Sequence, residues 1–265
     1  MTGRYPTINY TEEGMREGMQ IEDENIPVSE KVELLDALSE TGLKEIVIGS
    51  FVSPKYTPQM ARIDEIVTKF TPKPGVGYYA LALNPKGVER AKQYAPPLTI
   101  VRGSGRPSLR VHQCDVFARR NTNRTQMQEM AAWQGVIDNA VATGAKEAGI
   151  GTNATFGSNY VGDFSVEMTM KFMEKQHELW DAAGIKVTAV TIGDPMGWCH
   201  PVKVEEIFTQ VKKRWPDIKN FNAHLHNARG MAITSAYTAI TVLDSDDTLR
   251  LQGTIGGIGG CPYSG

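Results

Sequence analysis

Residues 221–230 read FNAHLHNARG, and this stretch sets the interpretation of the rest of the chain. In a β-strand, successive side chains point to opposite faces. The stretch would therefore have an apolar face with Phe221, Ala223 and Leu225. Its opposite, polar face would carry Asn222, His224 and His226. The pattern predicts a strand with its apolar side against a core and two imidazoles facing a polar cavity.

Strand-like and helix-like segments alternate along the chain. Eight apolar runs have strand character: TINY, KEIVIGS, GVGYYALAL, PLTIVRGS, KEAGIGTNA, KVTAVTIGD, FNAHLHN and LRLQGTIGG. Between them lie amphipathic segments such as SEKVELLDALSETG and VKVEEIFTQVKKRW, and GMAITSAYTAITVL is apolar nearly all round, which predicts a buried helix. This alternation is typical of a doubly wound sheet or a closed (β/α)8 barrel, and eight strands favour the barrel. We therefore expect one α/β TIM-barrel domain over residues 1–265, with the last barrel helix absent from the sequence.

Composition argues against several classes of partner. The 265 residues carry a net charge of −2 at pH 7, which provides no general positive field for nucleic acid. No apolar run approaches the ~18 residues of a membrane span, and residues 1–10 lack the pattern of a signal peptide. The three cysteines, Cys114, Cys199 and Cys261, are odd in number and lack metal-type spacing. We expect a reducing, cytoplasmic setting without a disulfide framework, and neither nucleic acid nor membrane as a partner.

Polar side chains follow the predicted strands at their carboxyl ends, where (β/α)8 enzymes place their active sites. The candidates are Arg16, Glu17, Gln20, Ser50, Lys55, Asn84, Asn121, Asp194, His224, His226, Asn227 and Cys261. Because all of them would lie at one end of the predicted barrel, they define the candidate site.

The chemistry of these residues points to a metal, although each feature has a simpler explanation. Two imidazoles and a carboxylate suit a divalent cation, and an adjacent arginine would stabilise a developing enolate. Cys261, on a glycine-rich loop, is a candidate general acid or base. The alternatives are structural histidines, a surface ion pair between Arg16 and Glu17, a solvated RRNTNR loop, a buried thiol and a merely flexible GGIGG segment. The metal interpretation is favoured because the features share one predicted end of the barrel.

Seven motifs occur in the order GMREGMQ, SFVSPKYTPQMA, LNPKGVERA, RRNTN, TIGDPMG, HLHNARG and GGIGGCPY. Together they resemble the 3-hydroxy-3-methylglutaryl-CoA (HMG-CoA) lyase branch of the DRE-TIM metallolyase superfamily. The resemblance runs from about residue 9 to the last residue. It implies a TIM barrel that holds a divalent cation, Mg²⁺ or Mn²⁺ with Zn²⁺ as an alternative. The implied activity is carbon–carbon cleavage of a β-hydroxy acyl thioester, of EC class 4.1.3.

The same resemblance implies a role for each candidate residue. Glu17, His224 and His226 would bind the metal, and Arg16 would stabilise the enolate. Cys261 would take part in proton transfer, and Asp194 would lie close by as a polar or catalytic group. The remaining candidates would bind substrate, namely Gln20, Ser50, Lys55, Asn84, Asn121 and Asn227. A homodimer is the family expectation.

Four departures from the family pattern point to a divergent substrate. Glu17 stands where the family has Asp, and Val47 stands where the lyases carry an acidic residue. The usual HxHD reads HLHN, with Asn227 closer to the condensing isopropylmalate-synthase-like enzymes. Residues 22–25 read EDEN where lyases place a basic residue near the CoA phosphates, and these carboxylates would repel CoA.

Four functions are therefore weighed. The leading one is a metal-dependent lyase that cleaves a β-hydroxy, carboxylated acyl substrate, either an acyl-CoA or a free hydroxy acid. An aldolase acting on free acids is the variant that EDEN favours, and a Claisen-type condensation is the one that Asn227 favours. A non-catalytic ligand-binding barrel is motivated by Glu17 and Val47, but the presence of Arg16, both histidines and Cys261 argues against it.

Overall fold

The computed structural model describes residues 3–55, 57–82, 85–101 and 106–264. The chain divides into two compact units. The first unit comprises Met1–Asn9, Arg106–Leu251 and Tyr263–Gly265, and the second comprises Tyr10–Gly105 and Gln252–Pro262. Each unit has its own hydrophobic core. The prediction of a single domain over residues 1–265 stays a prediction.

Strands and helices alternate through both units. The strands are β1 (Thr7–Glu12), β2 (Glu45–Ser50), β3 (Gly77–Leu81), β4 (Leu98–Val101), β5 (Ser108–His112), β6 (Glu147–Asn153), β7 (Gly157–Ser158), β8 (Gly162–Asp163), β9 (Lys186–Asp194), β10 (Asn220–Leu225) and β11 (Thr248–Gly253). The helices are α1 (Val28–Ser39), α2 (Ile63–Lys69), α3 (Pro85–Lys92), α4 (Asp115–Thr122), α5 (Gln126–Ala131), α6 (Trp133–Ala142), α7 (Val166–Ala182), α8 (Pro201–Arg214) and α9 (Ala232–Val242).

The first unit is built on four parallel strands in the order β5-β6-β9-β10. Their register aligns side chains of one face in rows across the sheet. The first row is Ser108, Gly149, Ala189 and Asn220, and the second is Arg110, Gly151, Thr191 and Asn222. One step nearer the carboxyl ends, the third row is His112, Asn153, Gly193 and His224. We call this side the polar face, because apart from glycine only Ala189 on it is apolar.

The opposite face of the same strands is apolar and forms the core of the first unit. Leu109, Ile150, Val190 and Phe221 are fully buried there, and Phe221 packs edge-on against Phe208 of α8 with ring centroids 5.0 Å apart. α8 begins with Pro201 in its first turn and ends with three basic residues, as the helix dipole favours. One-sided burial of this kind fixes the register, because a slip of one residue would turn the apolar set to the other face.

The second unit repeats the plan with parallel strands in the order β1-β2-β3-β4. Helices α1 and α2 cover them, and Leu35, Ile46, Ile48 and Ile63 are buried in the core between. At its carboxyl end β1 leads into the Arg16–Glu17 turn, which lies in the connection between β1 and α1.

The α/β class predicted from the sequence is confirmed, and each of the eight predicted runs contains a strand. Two expectations need correction. β5 was not predicted, although SLRVH alternates polar and apolar residues. The α9 segment was expected to be buried all round, but Ile233 and Tyr237 are 76% and 65% exposed. In the part of the chain that the structure describes, none of the helices combines the length and apolarity needed to cross a membrane.

Candidate active site

The two histidines of HLHN lie together at the carboxyl end of β10. Their Nε2 atoms are 3.0 Å apart, and their ring planes meet at 58°. Two nitrogen ligands ~2.1 Å from an ion and at a right angle to it are ~3.0 Å from each other. The spacing of His224 and His226 therefore fits two neighbouring positions on one divalent cation. Both rings are partly buried, so the pair is held within the protein but is reachable.

Asp194 ends the neighbouring strand β9 and is completely buried. Its carboxylate accepts hydrogen bonds from the backbone N–H groups of Trp198 (2.9 Å) and Cys199 (2.6 Å). Its carbonyl oxygen accepts from the backbone N–H of His226 at 3.2 Å. Burial raises the pKa of Asp194, while the two N–H groups and the nearby His226 act in the opposite direction. Asp194 thus shapes the turn after β9 and positions the backbone of His226.

In the second unit, Arg16 and Glu17 lie in the turn that follows β1. The backbone N–H groups of Arg16 and Glu17 donate to the Glu13 carbonyl, at 3.0 and 2.8 Å. The guanidinium of Arg16 donates to Glu17 at 2.7 Å and lies 3.7 Å from Glu13. The Arg16 and Glu17 side chains are 24% and 13% exposed, so this ion pair is partly buried rather than a free surface pair.

The glycine-rich loop that carries Cys261 lies against this turn. A Cβ added to Gly259, whose φ is +87°, would collide with Gly18 and lie 2.8 Å from the Glu17 carbonyl oxygen. The loop thus needs glycine to approach so closely. Sequence reasoning missed Glu12, a buried carboxylate that accepts from the N–H groups of Gly14 (2.8 Å) and Ile255 (2.9 Å). Its acidic position at the end of a predicted strand was the available signal.

The predicted substrate-binding residues have different environments. Ser50 is buried at the end of β2, Gln20 is partly buried in the turn after Glu17, and Lys55 is exposed. Asn121 on α4 and Asn227 after β10 are exposed. Asn84 lies outside the described residues.

A polar cluster at the end of β5 contains the predicted residue Asn121, but sequence reasoning missed its other members. The Nδ1 atom of His112 is 2.8 Å from Glu129, and its Nε2 atom is 3.0 Å from the amide of Asn153 and 3.2 Å from that of Asn121. Arg110 lies one row below on the same face. Prediction of β5 would have placed His112 at the end of a strand and Arg110 two residues before it on the same face, so the missed strand explains why both residues were missed.

The HMGL-like family matches residues 7–261 of the chain. The chain belongs to this family. It is 28% identical to the mitochondrial hydroxymethylglutaryl-CoA lyase of Rattus norvegicus over 261 residues, which covers 97% of this chain and 73% of the relative. The resemblance inferred from the motifs is therefore confirmed.

Solved structures agree with this assignment. A hydroxymethylglutaryl-CoA lyase from Pseudomonas aeruginosa has a TM-score of 0.69 at 26% identity, over 99% of this chain and 81% of that one. An HMG-CoA lyase from Acenitobacter baumannii, in complex with coenzyme A and 3-methylmalate, has a TM-score of 0.67 at 26% identity, over 100% and 79%. The predicted TIM-barrel fold class and the predicted enzyme class, a metal-dependent carbon–carbon lyase, are thereby confirmed. The individual site residues stay predictions.

Proposed function

We propose that this chain cleaves a β-hydroxy, carboxylated acyl substrate other than the family's usual one, with His224, His226 and Glu17 as the ligands of its divalent cation. The observation that carries the proposal is the 3.0 Å separation of the two Nε2 atoms, in a chain of the HMGL-like family. When bound, the cation supplies Lewis acidity that polarises the hydroxyl and carboxyl oxygens of the substrate. Mg²⁺ and Mn²⁺ are the ions that we favour, with Zn²⁺ as the alternative.

The other residues handle charge and protons. Cleavage removes the proton of the β-hydroxyl, breaks the adjacent carbon–carbon bond, forms a carbonyl and leaves an enolate that takes a proton at carbon. Arg16 provides the positive charge beside the developing enolate, and its hydrogen bond to Glu17 fixes its direction. Cys261, on the glycine loop, delivers or accepts the proton. Asp194 acts on His226 through the backbone, as a positioning residue.

Asn227 gives no support to the condensing alternative. Its side-chain oxygen accepts a hydrogen bond from the backbone N–H of Ala232 at 3.0 Å, and its carbonyl oxygen accepts from Gly230. Asn227 therefore has a structural role at the start of α9. An aspartate oxygen would accept the same hydrogen bond, so this residue does not distinguish cleavage from condensation.

The negative segment EDEN favours a free hydroxy acid over a CoA ester. Asp23 and Glu24 are exposed, and the pKa of Asp23 is lowered by hydrogen bonds from the backbone and side chain of Asn25. The Asp23 carboxyl is therefore ionised at neutral pH, and the negative charge of the segment would repel the phosphates of CoA. We also keep the homodimer and the cytoplasmic location as proposals.

Turnover measured by mass spectrometry tests the function. Purified protein with Mn²⁺, or with chelator, is incubated with a panel of β-hydroxy acyl-CoAs and the matching free acids. We expect metal-dependent cleavage in the wild type, none in His224→Ala, and wild-type turnover in the control His200→Ala, whose side chain is exposed before α8. Cleavage that survives chelation, or that His224→Ala retains, would contradict the proposal. No cleavage of any compound would favour condensation or ligand binding instead.

A further inference from the structure

The second row of the polar face holds an arginine in an unusual setting. Arg110 is exposed on β5, and its guanidinium extends across β6 to the hydroxyl of Thr191 on β9, at 3.4 Å. It passes over Gly151, where an added Cβ would collide with the Thr191 carbonyl oxygen. A hydrogen bond of 3.4 Å is long. It is the one hydrogen bond that the guanidinium makes to the described residues, so most of its five N–H donors are not used by them.

The charge of Arg110 is not balanced on this face. Among the positions of the three rows, arginine is the one residue with a permanent charge, and none is a carboxylate. In the described ranges of the chain, Arg110 forms no ion pair. Other arginines of the first unit do have carboxylate partners, such as Arg106 with Glu147 and Arg119 with Asp115, both on exposed surfaces. The three rows of the polar face thus present one cation without a carboxylate partner, and its parallel N–H donors are suited to binding a carboxylate.

The third row lies next to the arginine, toward the carboxyl ends of the strands, and His112 and Asn153 in it are joined by a hydrogen bond. The side-chain oxygen of Asn153 accepts from the backbone N–H of Ala154 at 3.1 Å, so its NH₂ group must be the part that faces His112. The two ring nitrogens of His112 are thus engaged by Glu129 and by the amides of Asn153 and Asn121. Because the carboxylate of Glu129 lies beside this imidazole, the cluster adds no uncompensated positive charge next to Arg110. A single cation fits a single carboxylate better than a dianionic phosphate.

The distance to the proposed metal ligands matches a small substrate. Thr191, which the guanidinium reaches, lies one strand and one row away from His224. Strands are ~4.8 Å apart and two residues along a strand span ~6.6 Å, so roughly 8 Å separates these two positions. A short acid can bridge that distance, whereas an acyl chain that ends in an apolar group would place hydrocarbon against a guanidinium.

We propose that Arg110 is a specificity-determining residue that binds a carboxylate of the substrate remote from the reacting carbon. The substrate class is then a short aliphatic hydroxy acid with a carboxylate at each end. The inference rests on the proposed function, since it names the substrate class of the same enzyme. Because Arg110 belongs to neither the proposed metal ligands nor the proton-transfer groups, its loss should weaken binding without changing the chemistry.

Binding without turnover gives the first test. Succinate, butyrate and inorganic phosphate are titrated calorimetrically into protein in chelator, using wild type, Arg110→Met and the matched control Arg119→Met. We expect wild type to bind succinate at least about tenfold more tightly than butyrate, Arg110→Met to lose that preference, and Arg119→Met to keep it. Equal succinate affinity in wild type and Arg110→Met would show a merely solvated arginine and overturn the proposal. Phosphate bound more tightly than succinate would overturn the choice of a carboxylate.

Kinetics on the cleaved hydroxy acids give the second test. Arg110→Met should raise KM by at least about tenfold for acids with two carboxylates and leave kcat within about threefold, since the lost interaction is uniform. Arg110→Lys should recover part of the affinity, because lysine keeps the positive charge but lacks the parallel N–H donors with which a guanidinium binds both oxygens of a carboxylate. If nothing is cleaved while the succinate preference depends on Arg110, the lyase proposal fails and the binding site stands. If cleavage is metal-dependent but Arg110→Met does not change KM, the lyase proposal stands and the assignment of Arg110 as a carboxylate-binding residue fails.

Discussion

At the residue scale, the paired imidazoles at the end of β10 should govern metal affinity. Each of His224→Ala and His226→Ala removes one of two nitrogens that lie 3.0 Å apart, and we expect either to weaken Mn²⁺ binding by at least about tenfold. Titration calorimetry with Mn²⁺ measures the affinity, and urea unfolding of the metal-free proteins checks that the fold is retained. His200→Ala should bind as wild type. Wild-type affinity in both substituted proteins would place the ion elsewhere.

Glu129 should make stability depend on pH in the acid range. Burial opposes ionisation of its carboxyl, but hydrogen bonds from the ring and backbone of His112 and from Thr122 outweigh burial, and the pKa lies below the usual 4.5. A lowered folded-state pKa contributes stability that is present above pH 4.5 and is lost as the pH falls through the folded-state value.

Urea unfolding between pH 6 and pH 3 checks this dependence. The difference in unfolding free energy between wild type and Glu129→Gln should be largest at pH 6 and shrink below pH 4.5. Glu178→Gln, at an exposed position of α7, serves as the control, and its difference from wild type should be small. If the difference in unfolding free energy between wild type and Glu129→Gln grew as the pH fell, the pKa of Glu129 would be raised rather than lowered by folding, which would contradict its interaction with His112.

At the scale of the elements, the glycines of β6 and β9 allow side chains to cross between strands. Gly151→Ala would force a Cβ against the Thr191 carbonyl oxygen, and we expect a loss of about 1–3 kcal/mol in unfolding free energy. Gly135→Ala on α6 is the matched control, because no atom lies within 4 Å of its added Cβ. It should stabilise by about 1 kcal/mol through helix propensity. Urea denaturation measures the unfolding free energy of both variants. If Gly151→Ala is as stable as Gly135→Ala, β6 and β9 shift to accommodate the added Cβ and the prediction is wrong.

The strands show where local patterns predict structure and where they do not. The long apolar runs of β2, β9 and β10 were predicted, because a buried strand needs consecutive or alternating apolar residues. β5 was missed because five residues carry only two apolar side chains, Leu109 and Val111, and its place in the sheet depends on its pairing with β6. For α9 the pattern misled, because an apolar helix surface does not by itself determine whether a neighbour covers it.

At the scale of the whole molecule, the balance of charge should influence the choice of ligand. The net charge is −2, and residues 22–24 are three consecutive acidic residues. If CoA approaches this segment, the triple change Glu22→Gln, Asp23→Asn and Glu24→Gln should tighten CoA binding by roughly two- to tenfold at low salt and less at high salt.

A control with the same change in total charge separates local from general effects. Converting Glu178, Glu205 and Glu206 to glutamine also raises the net charge from −2 to +1, at exposed positions of the first unit. Calorimetric titration of CoA at two salt concentrations compares the two triples. Equal gains would show that total charge, rather than the EDEN segment, limits CoA binding.

The sequence by itself determined the alternation of strands and helices, the two-faced character of FNAHLHN and membership of the HMGL-like family. These follow from local periodicity and from motifs whose residues are neighbours in the chain. Only the tertiary structure decided that Arg110, Gly151, Thr191 and Asn222 form one row and that His112 is held by Glu129. The physical reason is register: a shift of one residue between strands moves every side chain to the other face, and long-range packing of the apolar side selects the register.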